Sequence, residues 1–175
     1  MTHYKIITEK DNIILKKKDN KFKLEAVKKV KLPCGIIDLV ENLEIYNLFK
    51  SLNEEMVYKC KIYKKDNNSD VILYIKNFLN DYYLDESYYI TFSNKVNRID
   101  QNHIELLGTK NDIIKDGYKK LDIDNIHLDI KLVDSELNIK LKFNIVEDEM
   151  PIYIENNIGL VFRKIIKNLI KHFSE

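Results

Sequence analysis

The densest group of residues able to do chemistry lies in the stretch LDIDNIHLDIK, residues 121–131. In an extended chain Asp122 and Asp124 share one face, while His127, Asp129 and Lys131 share the other. An acidic residue followed two places later by lysine, with another aspartate upstream, is the outline of a metal-dependent nuclease strand. There the carboxylates hold Mg²⁺ and the lysine stabilises charge on the phosphate. The outline is short enough for chance to supply it, and a lysine across the sheet from Asp129 would explain that aspartate without any catalysis.

Other chemistry has less support. His3, His103, His127 and His172 are scattered, none at ligand spacing from another donor, so a zinc site would need tertiary coincidence. Cys60 alternates with Tyr58 and Ile62 like a strand interior, and Cys34 and Cys60 are too few for a disulfide framework. The four glycines, at 35, 108, 117 and 159, are isolated, which excludes a phosphate-cradling loop or dinucleotide fingerprint. No Gly-x-Ser-x-Gly elbow occurs either. The expectation is a non-enzymatic chain with no catalytic residue, no cofactor and no metal.

A binding role is easier to motivate. In DYYLDESYY, Tyr82, Tyr83, Tyr88 and Tyr89 stand among Asp81, Asp85 and Glu86. Tyrosine stacks on bases, but these acids would repel phosphate. A protein-contact surface fits better, because tyrosine is favoured at interface hot spots. The competing reading is a strand with one tyrosine of each pair buried.

The elements that must position these residues are mostly strands. Lys10-Asp11-Asn12, Lys18-Asp19-Asn20 and Lys65-Asp66-Asn67 read as turns, since Asp and Asn tolerate the left-handed backbone that tight hairpins require. The clearest hairpin is IHLDIKLVDSELNIKLKFNIV. With Asp134-Ser135 as a two-residue turn, Leu132 faces Leu137, Ile130 faces Ile139, Leu128 faces Leu141 and Ile126 faces Phe143. The same register sets Asp129 against Lys140, so both faces agree. SYYITFS and NHIELLG read as further strands, NDIIKDG as a short helical turn ended by Gly117, and residues 78–86 resist assignment.

Two helices complete the pattern. Ile45, Leu48, Phe49 and Leu52 recur at helical spacing, predicting a helix over about 38–54 with a break near Asn42. From about 157 to 173, Ile158, Val161, Phe162, Ile165, Ile166, Leu169, Ile170 and Phe173 fall on one side of a wheel. Arg163, Lys164, Lys167 and Lys171 fall on the other, with Leu160 misplaced. Pro151 marks chain not yet helical, and Asn156 or Asn157 is the expected cap.

Magnitudes decide what covers that last helix. Four cationic side chains at an anionic surface supply about 1 kcal/mol each. Burying eight large apolar side chains supplies on the order of 10 kcal/mol. The apolar face therefore belongs against the dry face of the hairpin, and membrane docking is not favoured. The basic stripe is left outward as a candidate partner surface.

Composition sets the remaining limits. One domain spanning 1–175 is expected, with 45% apolar and 33% charged residues. The net charge of +1 disfavours nucleic acid as a partner. Residues 1–33 carry ten lysines against four acids, whereas 100–155 carry thirteen acids against seven lysines. The N-terminus lacks an apolar signal stretch, so the expected location is cytoplasmic.

The resulting fold class is α+β: a largely antiparallel meander sheet packed by the mid-chain helix and the C-terminal helix. The leading functional expectation is a cytosolic accessory protein acting through contacts with another protein, a homodimer through an uncovered sheet edge being one form. The alternative is a carrier of a small molecule or lipid, with an apolar cavity between sheet and terminal helix. Such a carrier calls for an enclosed volume on the order of several hundred Å³.

Overall fold

The hairpin of strands β9 (Ile123–Val133) and β10 (Glu136–Ile145) adopts the register its alternation predicts, with Leu132 opposite Leu137, Ile130 opposite Ile139 and Asp129 opposite Lys140. Its turn residues Asp134 and Ser135 both take positive φ, 49° and 66°, the backbone that lets two twisted strands join in two residues. The computed structural model describes residues 3–31, 35–76, 87–146 and 152–174. Residues 78–86, and with them Tyr82 and Tyr83, lie outside the described residues.

The other strands are β1 (Lys5–Lys10), β2 (Ile13–Lys18), β3 (Lys21–Lys29), β4 (Val57–Tyr63), β5 (Ser69–Ile75), β6 (Tyr88–Asp100), β7 (His103–Lys110) and the two-residue β8 (Lys119–Lys120). The helices are α1 (Ile36–Glu41), α2 (Ile45–Leu52) and α3 (Ile152–Ser174). The ten strands form one sheet in the order β1-β2-β3-β10-β9-β7-β6-β5-β4, with β8 beside β6. Every pairing is antiparallel except the short one between β6 and β8. After β3 the chain leaves the middle of the sheet through α1 and α2 and re-enters at the far edge with β4. It then returns strand by strand until β10 closes against β3.

Asp11 and Asn12 (φ 59° and 60°) turn β1 into β2, and Asp19 (φ 53°) helps turn β2 into β3, as the Lys-Asp-Asn strings predict. The mid-chain helix is two short helices. Leu43 at φ 62° breaks it, a costly backbone for leucine, held by burial of its side chain in the core.

α3 is the longest helix and closes the inner face of the sheet. Ile158, Phe162, Ile165, Ile166, Leu169 and Phe173 are buried, while Leu160 stays exposed. Gly159 lies over Phe22 and Leu15, so close that a Cβ there would meet both side chains. α3 is already helical at Ile152, so Asn156 and Asn157 sit inside it and do not cap it. Pro151, directly before it in sequence, lies outside the described residues.

The expected helical turn in NDIIKDG does not form. Its backbone groups bond elsewhere: the Tyr89 hydroxyl donates to Ile113 O at 3.0 Å and accepts from Lys115 N at 3.3 Å. The Asn111 side chain also accepts from Ile113 N. Gly117 takes φ 79° in the turn before β8. Among the described residues no helix is long and apolar enough to cross a membrane.

Candidate functional site

Where α2 and α3 meet the inner face of the sheet, the packing leaves an enclosed void of about 30 Å³. Its floor is Leu73, Phe92, Leu106, Leu128 and Leu141, one each from β5, β6, β7, β9 and β10. Ile126 completes it, Tyr46 and Phe49 of α2 wall it, and Phe162, Ile165 and Ile166 of α3 roof it. Period-2 alternation brings the strand residues to one face, and helical spacing in α3 brings its three to the opposite side.

A buried polar pair adjoins this seam. The Tyr46 hydroxyl donates to Asn94 Oδ1 at 2.7 Å, with both side chains buried. Burial pushes the Tyr46 phenol up, so it stays protonated and remains a donor. Among the described residues Asn94 Nδ2 donates to Phe92 O at 3.3 Å and Ser69 O at 3.4 Å, long for amide hydrogen bonds. Gly108 pairs with Asn94 across β6 and β7, and a Cβ there would run into the Ile126 side chain.

Polar ties hold α3 in place along its rim. Asn168 Nδ2 donates to Leu52 O at 3.2 Å and to Asn53 Oδ1 at 2.7 Å, fixing α3 to the end of α2. Lys17 pairs with Glu155 near its beginning. The sequence-predicted basic stripe takes part. Lys164 pairs with Glu55 at 2.8 Å, Lys167 with Asp11 at 2.7 Å, and Arg163 donates to Lys10 O at 2.9 Å. The hydrogen bond from Lys167 holds the Asp11 carboxyl below the usual carboxylate range. Lys171 is exposed near the end of α3.

Of the tyrosines in the acidic stretch, Tyr88 and Tyr89 are both buried, on opposite faces of β6. Tyr88 belongs to the core, and Tyr89 packs with Ile72 and Tyr74 on the outer face, beneath Ile113 and Tyr118. The membrane reading of α3 needed Phe162, Ile166 and Phe173 exposed, and all three are buried. Asp129 and Lys131 lie on the sheet's outer face, not in a cleft as a nuclease requires. Asp129 pairs there with His103 at 2.8 Å rather than with Lys140.

Sequence reasoning missed Tyr46 and Asn94. One signal was present: in YYITFSNKV, Asn94 continues the inward parity of Ile90 and Phe92, a polar residue where an apolar one belongs.

No protein-family model matches the chain, and no curated protein does. Solved structures do. Human StAR-related lipid transfer protein 5 superposes with a TM-score of 0.71 at 12% identity, over 97% of this chain and 86% of that one. A fragment of the STAR-related lipid transfer protein from Xanthomonas axonopodis gives a TM-score of 0.71 at 10% identity, over 97% and 98%. The α+β fold, a long helix closed in by one antiparallel sheet, is therefore shared with proteins named for lipid transfer. This corrects the leading expectation of an accessory protein acting through protein contacts, and the burial of Tyr88 and Tyr89 removes part of its basis. The volume expected of a carrier needs correction as well. The void holds about 30 Å³ and not several hundred, because the aromatic and aliphatic side chains of α2 and α3 fill the seam.

Proposed function

We propose that this chain carries a small apolar molecule of the lipid class between the inner face of its sheet and α3. The observation that carries the reading is the seam itself. An apolar void sits where helix and sheet meet, with the Tyr46–Asn94 pair as its polar neighbour. Binding sites for such ligands are mostly apolar, with a few placed polar groups that fix orientation. The fold likeness to proteins named for lipid transfer supports the same reading.

In this reading the structure is a closed state. A void of about 30 Å³ is far below the roughly 150 Å³ of an apolar cavity that admits benzene, so a lipid enters only when α3 separates from the sheet. The apolar packing that the helix then gives up is replaced by packing against the ligand, which is how a filled seam can serve as a site.

The test is direct binding. Fatty acid and sterol probes carrying an environment-sensitive fluorophore are titrated with the tag-free chain, and native mass spectrometry examines it as purified. Saturable 1:1 binding, competed by unlabelled lipid and weakened at least tenfold by Leu106→Trp in a folded variant, is expected. Absence of binding by both probes, together with no retained apolar molecule, overturns the reading.

A further inference from the structure

The residues that stood out in LDIDNIHLDIK end on the outer face of the sheet, away from the seam, where they meet a second set from β7. Pairing of β7 with β9 puts Glu105 opposite Asp129, His103 opposite Lys131 and Leu107 opposite His127. Directly paired residues of an antiparallel ladder share a face. The two imidazoles therefore bracket the two carboxylates, one at each end. Each crosses the gap between strands diagonally: His103 Nε2 lies 2.8 Å from Asp129 Oδ1, and His127 Nε2 lies 3.2 Å from Glu105 Oε1. Ligand atoms of His103, Glu105 and Asp129 all fall within 4.8 Å of one another.

Three features distinguish this group from ordinary surface pairing. Glu105 and Asp129 are like charges directly opposed on adjacent strands, a destabilising arrangement, and the nearby lysines Lys131 and Lys140 flank the pair on the same face. Lys140 is opposite Asp129 on its other side, yet Asp129 takes a histidine as its partner. Asn97 Nδ2 donates to Glu105 Oε2 at 3.1 Å, leaving Oε1 turned toward His127 and orienting the carboxylate as outer partners of metal ligands do.

Geometry and charge then select the ligand. Zinc binds nitrogen and oxygen at about 2.0–2.1 Å, so tetrahedral donor atoms stand about 3.3 Å apart. That separation falls inside the range the His103, Glu105 and Asp129 donors already span, and His127, outside that group but 3.2 Å from Glu105 Oε1, joins them by moving its ring toward the ion. Two carboxylates balance the charge of a divalent ion, and mixed imidazole and carboxylate donors suit zinc and its first-row neighbours. The side chains are between 20% and 32% exposed, which gives an ion access from solvent without unfolding.

We propose that His103, Glu105, His127 and Asp129 form a zinc-class divalent-metal site on the outer face of the sheet. It is separate from the lipid seam and does not depend on it. The test is calorimetric titration of the tag-free full chain with zinc chloride, with cobalt(II) absorption as a second probe of donor set and geometry. One ion per chain is expected. Affinity should fall at least tenfold in His103→Ala, His127→Ala and Asp129→Ala, and stay unchanged in the control His172→Ala, with thermal melting confirming that each variant folds. The absence of saturable binding, or binding that persists without His103 and His127, overturns the site.

Discussion

Replacing Phe162 with alanine probes the seam most directly. The Phe162 ring lies 4.5 Å, centroid to centroid, from Phe143, which in turn stacks on Phe22 at 4.9 Å and 3°. Phe22 is itself held beneath Gly159. Because these rings brace one another, the neighbours cannot collapse into the space left by the side chain. Truncations of this kind cost about 3–5 kcal/mol, and a site that does not relax belongs near the middle or top of that range, about 4 kcal/mol. Of this, about 100 Å³ of added cavity would contribute about 2.4 kcal/mol at about 24 cal/mol per Å³. The new space joins the existing void, so the variant should bind a fatty acid probe at least as tightly as the parent. Probe at a hundred times its Kd should restore about 2.7 kcal/mol. Urea unfolding followed by circular dichroism, with and without probe, measures both quantities. A loss below about 1 kcal/mol would show that Phe162 is not packed as described. A normal loss with no recovery by ligand would refute the claim that this space is a binding site.

Three further outcomes follow from single residues. Gly159→Ala places a methyl group 2.8 Å from Phe22 Cε1 and 3.2 Å from Leu15 Cδ2. Overpacking of about 1–3 kcal/mol outweighs a helix-propensity gain of up to about 1 kcal/mol, so urea denaturation should show a net loss. Hydrogen bonds from Lys16, then Lys23, lower the Glu25 carboxyl to about 2. A carboxylate with a depressed folded-state pKa adds stability above its unfolded value of about 4.3, and loses it as pH falls toward 2. After solvent screening this is at most about 1 kcal/mol, so Glu25→Gln should be slightly less stable at pH 7 and equal to the parent near pH 2. Burial, with Glu44 adding to it, pushes the Cys60 thiol up to about 11. Its alkylation at pH 8 should be about a hundredfold slower in the native chain than in urea, read by peptide mass spectrometry; near-equal rates would contradict the described burial.

The fold was legible wherever one element carried its own pattern. Alternation fixed the β9–β10 register down to Asp129 opposite Lys140, and the spacing of Ile158, Phe162 and Ile166 fixed the buried side of α3. Tyr88 and Tyr89 were not legible in this way, because both faces of β6 are covered there. The outer cover is the segment with Ile113 and Tyr118, whose backbone bonds to the Tyr89 hydroxyl and so does not become helix. A cavity between sheet and terminal helix was expected, but its lining was not legible, for a related reason. Leu73, Phe92, Leu106, Leu128 and Leu141 each read as ordinary strand core, and only the strand order makes them one floor. His103 looked isolated in sequence because its partner Asp129 lies on β9, and the register of two long strands joins them.

The energetics of α3 allow the proposed site to coincide with a closed core. Its rim ties are partly exposed: Lys164 and Lys167 are about half exposed, and such ion pairs contribute about 0–1 kcal/mol each. What keeps the helix down is apolar burial, at about 25 cal/mol per Å². That term does not distinguish between the inner face of the sheet and a lipid chain of similar area. A ligand sliding between Phe162 and Leu106 therefore returns most of what opening the seam removes, leaving mainly the ordering cost of the ligand. The tie from Asn168 to Asn53 is different in kind, because Asn53 is fully buried and its Oδ1 would lose this donor on a wide opening, while its Nδ2 stays bonded to Phe49 O. Opening should therefore hinge at the Asn168 end of α3 and be widest toward Ile158, where Lys17–Glu155 is the tie that must break. Amide hydrogen exchange along α3, with and without lipid, tests this: protection gained on loading should be greater before Phe162 than after Asn168, and a uniform gain would exclude the hinge.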